Sequence, residues 1–203
     1  MIALEPLSST RRPAVAGSFY PRGARELADT VEGLLSKATK IEESGLVGIV
    51  VPHAGYMFSG PVAASAFAAL ASSERAFERV LLIGPAHYVP VFGIAASSAR
   101  SFTTPLGEIV IDTDQVAALL DAGLIDIDDR AHAPEHALEV ELPFLQQALG
   151  RFTLIPLLVG EASPDEVAAI IALVLDKRTL LVVSTDLSHY LDYVSCLLYT
   201  SPS

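Results

Sequence analysis

Three short apolar runs constrain this chain most: Ile49-Val50-Val51, Arg79 to Gly84 and Thr179 to Val183. Each is β-branched or leucine-rich and too short for a helix, as a buried strand should be. The first two stop at a proline, which has no N–H for a sheet ladder. A histidine follows soon after each run: His53 in PHAGY, His87 in PAHY and His189 in STDLSHY. Between the runs lie segments of helical period. Leu27, Val31, Leu34, Leu35 and Ala38 predict a helix over about 24–38, and a small-residue helix is expected over about 61–71. In that region Gly55 allows a tight turn, Ser59 can cap and Pro61 can start the helix.

Further strands are expected over Phe92 to Ser97 and Phe152 to Val159, with turn chemistry in Thr104-Pro105-Leu106-Gly107. Asp112 or Thr113 can cap a helix reaching about Ala122. Residues 126–134 read as a polar loop containing His132. A helix is predicted from about Glu135 to Leu149, bent at Pro143. Ser163-Pro164-Asp165-Glu166 is a strong helix start, with serine, proline and glutamate at capping-box spacing. Residues 12–22, RPAVAGSFYPR, suggest an extended arm laid on the domain. Strand and helix alternate along the chain, which argues an α/β fold: a central mixed or mostly parallel sheet flanked by helices.

The 203 residues allow one sizeable core. Apolar residues make up 51%, a globular composition, and the net charge of −11 leaves no basic footprint for nucleic acid or anionic lipid. The apolar region 167–183 is interrupted by Asp176, Lys177 and Arg178, so no membrane span is expected. The N-terminus lacks the apolar core of a secretory signal, and one cysteine, Cys196, excludes an intrachain disulfide framework. A cytoplasmic setting fits. Residues 1–193 read as a single α/β domain, incomplete at its C-terminus. Residues 194–203, VSCLLYTSPS, break the pattern and read as a non-native tail.

In an α/β sheet, strand carboxyl ends gather on one edge. His53, His87 and His189 are therefore the expected metal ligands, suited to iron, copper or zinc. Asp186, three residues before His189, either orients a pocket imidazole, ligates directly or caps a turn. His136, at a predicted helix start beside Glu135, suits a neutral acid/base or a substrate donor. Nucleotide motifs fail. Gly55 to Gly60 has phosphate-loop spacing but Pro61 where the lysine belongs, and no G-x-G-x-x-G follows a strand.

Taken together, RRPAVAGSFYP, VPHAGYMFSG, LIGPAHYVP, EHALEVELPFL and STDLSHY resemble the Memo family, including AmmeMemoRadiSam system protein B. The resemblance runs from about Arg12 to Tyr193. It implies a fold like that of class III extradiol dioxygenases with a non-haem metal pocket. The family's metal-site histidines fall on His53, His87 and His189, and its aspartate on Asp186. It also implies a pocket cysteine from a stretch this sequence lacks, and an association with AMMECR-domain and radical-SAM proteins. Three functions follow as expectations. The first is metal-dependent redox chemistry on an unknown small molecule or peptide, with iron or copper and His136 handling a proton. The second is a zinc hydrolase with Glu135 or Asp186 as base. The third is a non-catalytic metal- or peptide-binding module.

Overall fold

The computed structural model describes residues 9–39, 45–73, 75–186 and 194–195. The three apolar runs do form strands, but the first, Gly48–Val51, lies at the edge of the sheet and leaves Val50 exposed. In chain order the elements are β1 (Thr10–Arg11), α1 (Ala24–Lys37), β2 (Gly48–Val51), α2 (Tyr56–Ala71), β3 (Arg79–Pro85), β4 (Ile94–Ala96), β5 (Ser101–Thr104), β6 (Gly107–Ile111), α3 (Thr113–Asp121), β7 (Asp126–Ile127), α4 (Asp129–His132), a 3-10 turn (Glu139–Glu141), α5 (Leu142–Leu149), β8 (Thr153–Val159), α6 (Pro164–Val174) and β9 (Thr179–Ser184).

The strands make one mixed, mostly parallel sheet in the order β1-β5-β6-β8-β3-β9-β2, with β4 beside β8 and β7 beside β4. β6, β8, β3, β9 and β2 run parallel, while the β5–β6 hairpin and the β4–β8 pair are antiparallel. The middle five residues of β3 and of β8 are all buried, as an inner parallel strand requires. One edge of β8 is shared: β6 pairs with Thr153 and Leu154, β4 with Leu158 and Val159. Pro156 falls in the gap between them, where that ladder is interrupted.

α1, α2 and α5 pack against one another over the sheet. The β2-α2-β3 and β8-α6-β9 connections step across the sheet in opposite directions. Right-handed crossovers therefore put α6 on the face opposite α2. Phe67 of α2 and Phe144 of α5 stack face to face at 5.0 Å and are fully buried. No helix of the described residues is long and apolar enough to cross a membrane.

Several local expectations need correction. α2 starts at Tyr56, five residues before Pro61, and its N-cap is Gly55. Pro61 lies inside the helix, where the bond it cannot make would reach the carbonyl of exposed Met57, which water can satisfy. Ser59 bonds back to the carbonyl of Ala54 instead of capping. The helix expected over 135–149 begins only at Leu142, behind the 3-10 turn, so Pro143 sits in its first turn and bends nothing. The loop expected over 126–134 contains β7 and the single turn of α4. The capping box of Ser163 and Glu166 and the Asp112 cap form as expected.

Candidate metal centre

β3, β9 and β2 are neighbours and parallel, so their carboxyl ends share one edge. Two residues past each end stand His87, Asp186 and His53 respectively. His136 arrives from outside the sheet, on the segment between α4 and the 3-10 turn. Gly84 of β3 lets that segment come close: a Cβ there would lie 2.8 Å from Leu138 Cδ2. His53, His87 and His136 each offer a ring nitrogen, all within 4.8 Å of one another. His189 and Cys196 lie outside the described residues.

The partners of these rings decide which nitrogen is free. His53 is buried, and its Nδ1 is 2.9 Å from Ser184 Oγ. That hydroxyl donates its one proton to the carbonyl of Ala137, 2.6 Å away, because a carbonyl can only accept. Ser184 Oγ therefore accepts from His53 Nδ1–H, leaving Nε2 unprotonated. Glu141 Oε1 is 3.1 Å from the same hydroxyl. Burial raises the Glu141 carboxyl well above its ordinary range, with the nearby Asp186 charge adding to the rise and the hydrogen bond with Ser184 opposing it.

His87 Nδ1 is 2.9 Å from Glu135 Oε1, so the carboxylate fixes its proton and again frees Nε2. Glu135 also accepts from the backbone N–H groups of His87, His136 and Ala137. Burial opposes its ionisation, but the surrounding histidine and backbone donors win and hold its carboxyl far below the usual range. His136 Nδ1 lies 3.2 Å from Glu135 Oε1 but is not aligned with it, and is a buried nitrogen without a hydrogen-bond partner. The His136 ring stacks on His87 at 4.8 Å and meets Phe19 at 4.7 Å. Burial lowers the pKa of His53, with Asp186 opposing and the other two imidazoles assisting, so its ring is neutral as a metal requires.

Such a donor set fits a borderline metal such as iron, copper or zinc. Tetrahedral ligation with bonds of about 2.1 Å needs nitrogens roughly 3.4 Å apart. Small ring movements therefore separate these positions from ligation. Asp186 Oδ1 accepts from the backbone N–H of His53 at 2.9 Å, and its Oδ2 is 3.8 Å from His53 Nε2. It flanks the free nitrogen, while Ser184 holds the other. His132 stands apart: it is buried, with Nε2 3.0 Å from the carbonyl of Ala95.

Two buried acids beside the site escaped the sequence reading, Glu139 and Glu141, both essentially fully buried. Their signal was an acid at alternate positions inside the apolar stretch HALEVELPFL.

The sheet and this imidazole cluster at its carboxyl edge define an α/β protein built around a candidate metal centre. The chain belongs to the Memo family: the model described as Memo-like protein matches residues 11–201. It is 38% identical to a MEMO1 family protein of Methanopyrus kandleri, over 89% of this chain and 69% of that one. A MEMO1 family protein of Methanosarcina acetivorans is 37% identical over 89% of this chain and 67% of its own length, and one of Nitrosopumilus maritimus is 30% identical over 89% and 69%.

Proposed function

We propose that this protein is a metal-dependent redox protein with dioxygenase-like chemistry on a small molecule or peptide. His53 and His87 hold the metal, iron or copper, through Nε2. The third imidazole is His189 or His136, and where His189 ligates, His136 handles a proton. The observation that carries this reading is the convergence of imidazoles whose Nδ1 protons on His53 and His87 are tied back into the protein. Bound there, the metal supplies open positions at which substrate and oxidant are polarised. The chain supplies the rest. Ser184 and Glu135 fix the ring orientations, and burial keeps His53 neutral. The Asp186 carboxylate beside Nε2 is placed to hold a proton during turnover. The pairing with AMMECR-domain and radical-SAM proteins and the cytoplasmic setting belong to this proposal on the strength of the resemblance.

Glu135 weighs against the zinc-hydrolase alternative in one respect. Its oxygens are taken by four donors, so it is not free to act as base, and only Asp186 remains for that task. Elemental analysis of the purified protein and of His53→Ala, His87→Ala, His136→Ala, His189→Ala and His132→Ala tests the reading. Iron or copper in the parent, sharply reduced in the first two variants and in one of the next two but not in His132→Ala, is the expected result. Equal metal in all of them would sink it. Tight zinc with ester or amide turnover would favour the hydrolase, and metal without turnover the binding module.

A further inference from the structure

Residues 133–138 form neither helix nor strand, yet they deliver Glu135 and His136 to the site. A segment without a ladder needs another source of order. Arg11, buried at the end of β1, provides it. Its Nε donates to the carbonyl of His132, its Nη2 to the carbonyl of Glu135, and its Nη1 pairs with the carboxylate of Glu139. One guanidinium thus grips the segment at its start, middle and exit. Glu139 in turn accepts from the N–H groups of Ala14 and Val15 and from the Tyr20 hydroxyl. Residues 11–20 and 132–139 are therefore one hydrogen-bonded unit. The arm also walls the site: Phe19 packs on the His136 ring, and its carbonyl accepts from the N–H of Tyr56, three residues past His53. Stability alone does not call for such a group, since buried ion pairs are often matched by apolar packing. What marks Arg11 is that two of its three bonds go to carbonyls of the site segment, which needs the planar fork that lysine lacks.

We propose that Arg11 is a positioning residue for the histidine site: through Glu139 and the carbonyls of 132 and 135 it holds Glu135 and His136 in register with His53 and His87. The link to metal rests on the reading above, but the first test does not. Amide hydrogen exchange of the metal-free protein is compared with Arg11→Lys, which keeps a charge facing Glu139 and loses the fork. Exchange at the amides of His136 and Ala137 should quicken by about tenfold or more, with β3, β8 and β9 unchanged. Cobalt(II) affinity should fall about ten- to a hundredfold, with an altered visible spectrum. Tyr20→Phe removes one donor to Glu139 and spares Arg11. It should act in the same direction, more weakly, and it decides the matter if Arg11→Lys does not fold. Unchanged exchange in the segment, acceleration spread evenly through the strands, or faster segment exchange with unchanged cobalt affinity would each overturn the proposal. Faster segment exchange in a protein whose parent takes up no cobalt would leave Arg11 as the positioning residue and remove the metal reading instead.

Discussion

Asp186 shows how much a single carboxylate's side of a ring decides. Ser184 already fixes the proton on His53 Nδ1, so Asp186 is not needed to choose the tautomer. It lies beside Nε2, the nitrogen that faces the site, while its other oxygen takes the His53 backbone N–H. Asp186→Asn keeps an acceptor for that N–H and removes the charge. The fold should hold, and metal affinity should drop about ten- to a hundredfold. Metal titration of the variant beside the parent checks this, and an unchanged dissociation constant would remove Asp186 from the site. At this scale the sequence exposed what proximity along the chain can expose: a histidine two residues past a proline-ended or apolar strand. It hid what only folding brings together. Arg11 and Glu139 are 128 residues apart, and nothing local to EVELP says which acid finds a guanidinium and which a buried serine.

Among the elements, the inner strands β3 and β8 were legible because burial on both faces demands unbroken apolar runs, α1 because its apolar period is clear, and α3 and α6 because their caps form as read. The short strands β1, β5, β6 and β7 carry no such run. The segment between α4 and α5 was not legible. It was read as the start of a helix, but Gly84 and the Arg11 fork draw residues 133–138 onto the sheet edge, and that tertiary pull decides the local structure. α6 shows the opposite case. Its capping box is local, solvent-facing and complete, with Ser163 accepting from the N–H of Glu166. Ser163→Ala should destabilise the protein by about 1 kcal/mol without changing metal binding. Urea unfolding measures the first and metal titration the second; a loss confined to metal binding would contradict the local reading of this cap.

At the scale of the whole molecule, the titrations of two of the buried groups, His132 and Glu141, pull stability in opposite directions. His132 is held at about 4, chiefly by burial and by the Arg11 charge, against the pull of the Ala95 carbonyl, Asp129 and Glu135. Its folded pKa lies below the ordinary 6.5, so the unfolded chain binds the proton first. Stability from this group is complete above about pH 6.5 and drains as pH falls towards 4, by about 3 kcal/mol in all. Glu141 has the reverse sign. Its carboxyl is raised by burial, with Asp186 adding to the rise and Ser184 opposing it. The folded state keeps a proton that the unfolded chain releases above the ordinary carboxyl range. Its contribution is therefore full in acid and declines as pH rises, by up to about 1.4 kcal/mol per pH unit until the buried acid ionises. Denaturant unfolding at a series of pH values separates them. Glu141→Gln, whose amide can still donate to Ser184, should gain on the parent steadily as pH rises above about 4.5. His132→Asn should carry a constant packing loss against Phe102, yet close the gap as pH falls from 6.5 to 4, because it no longer has a buried imidazole to protonate. Curves for either variant that run parallel to the parent across its window would mean that the group is not held in the state its burial dictates.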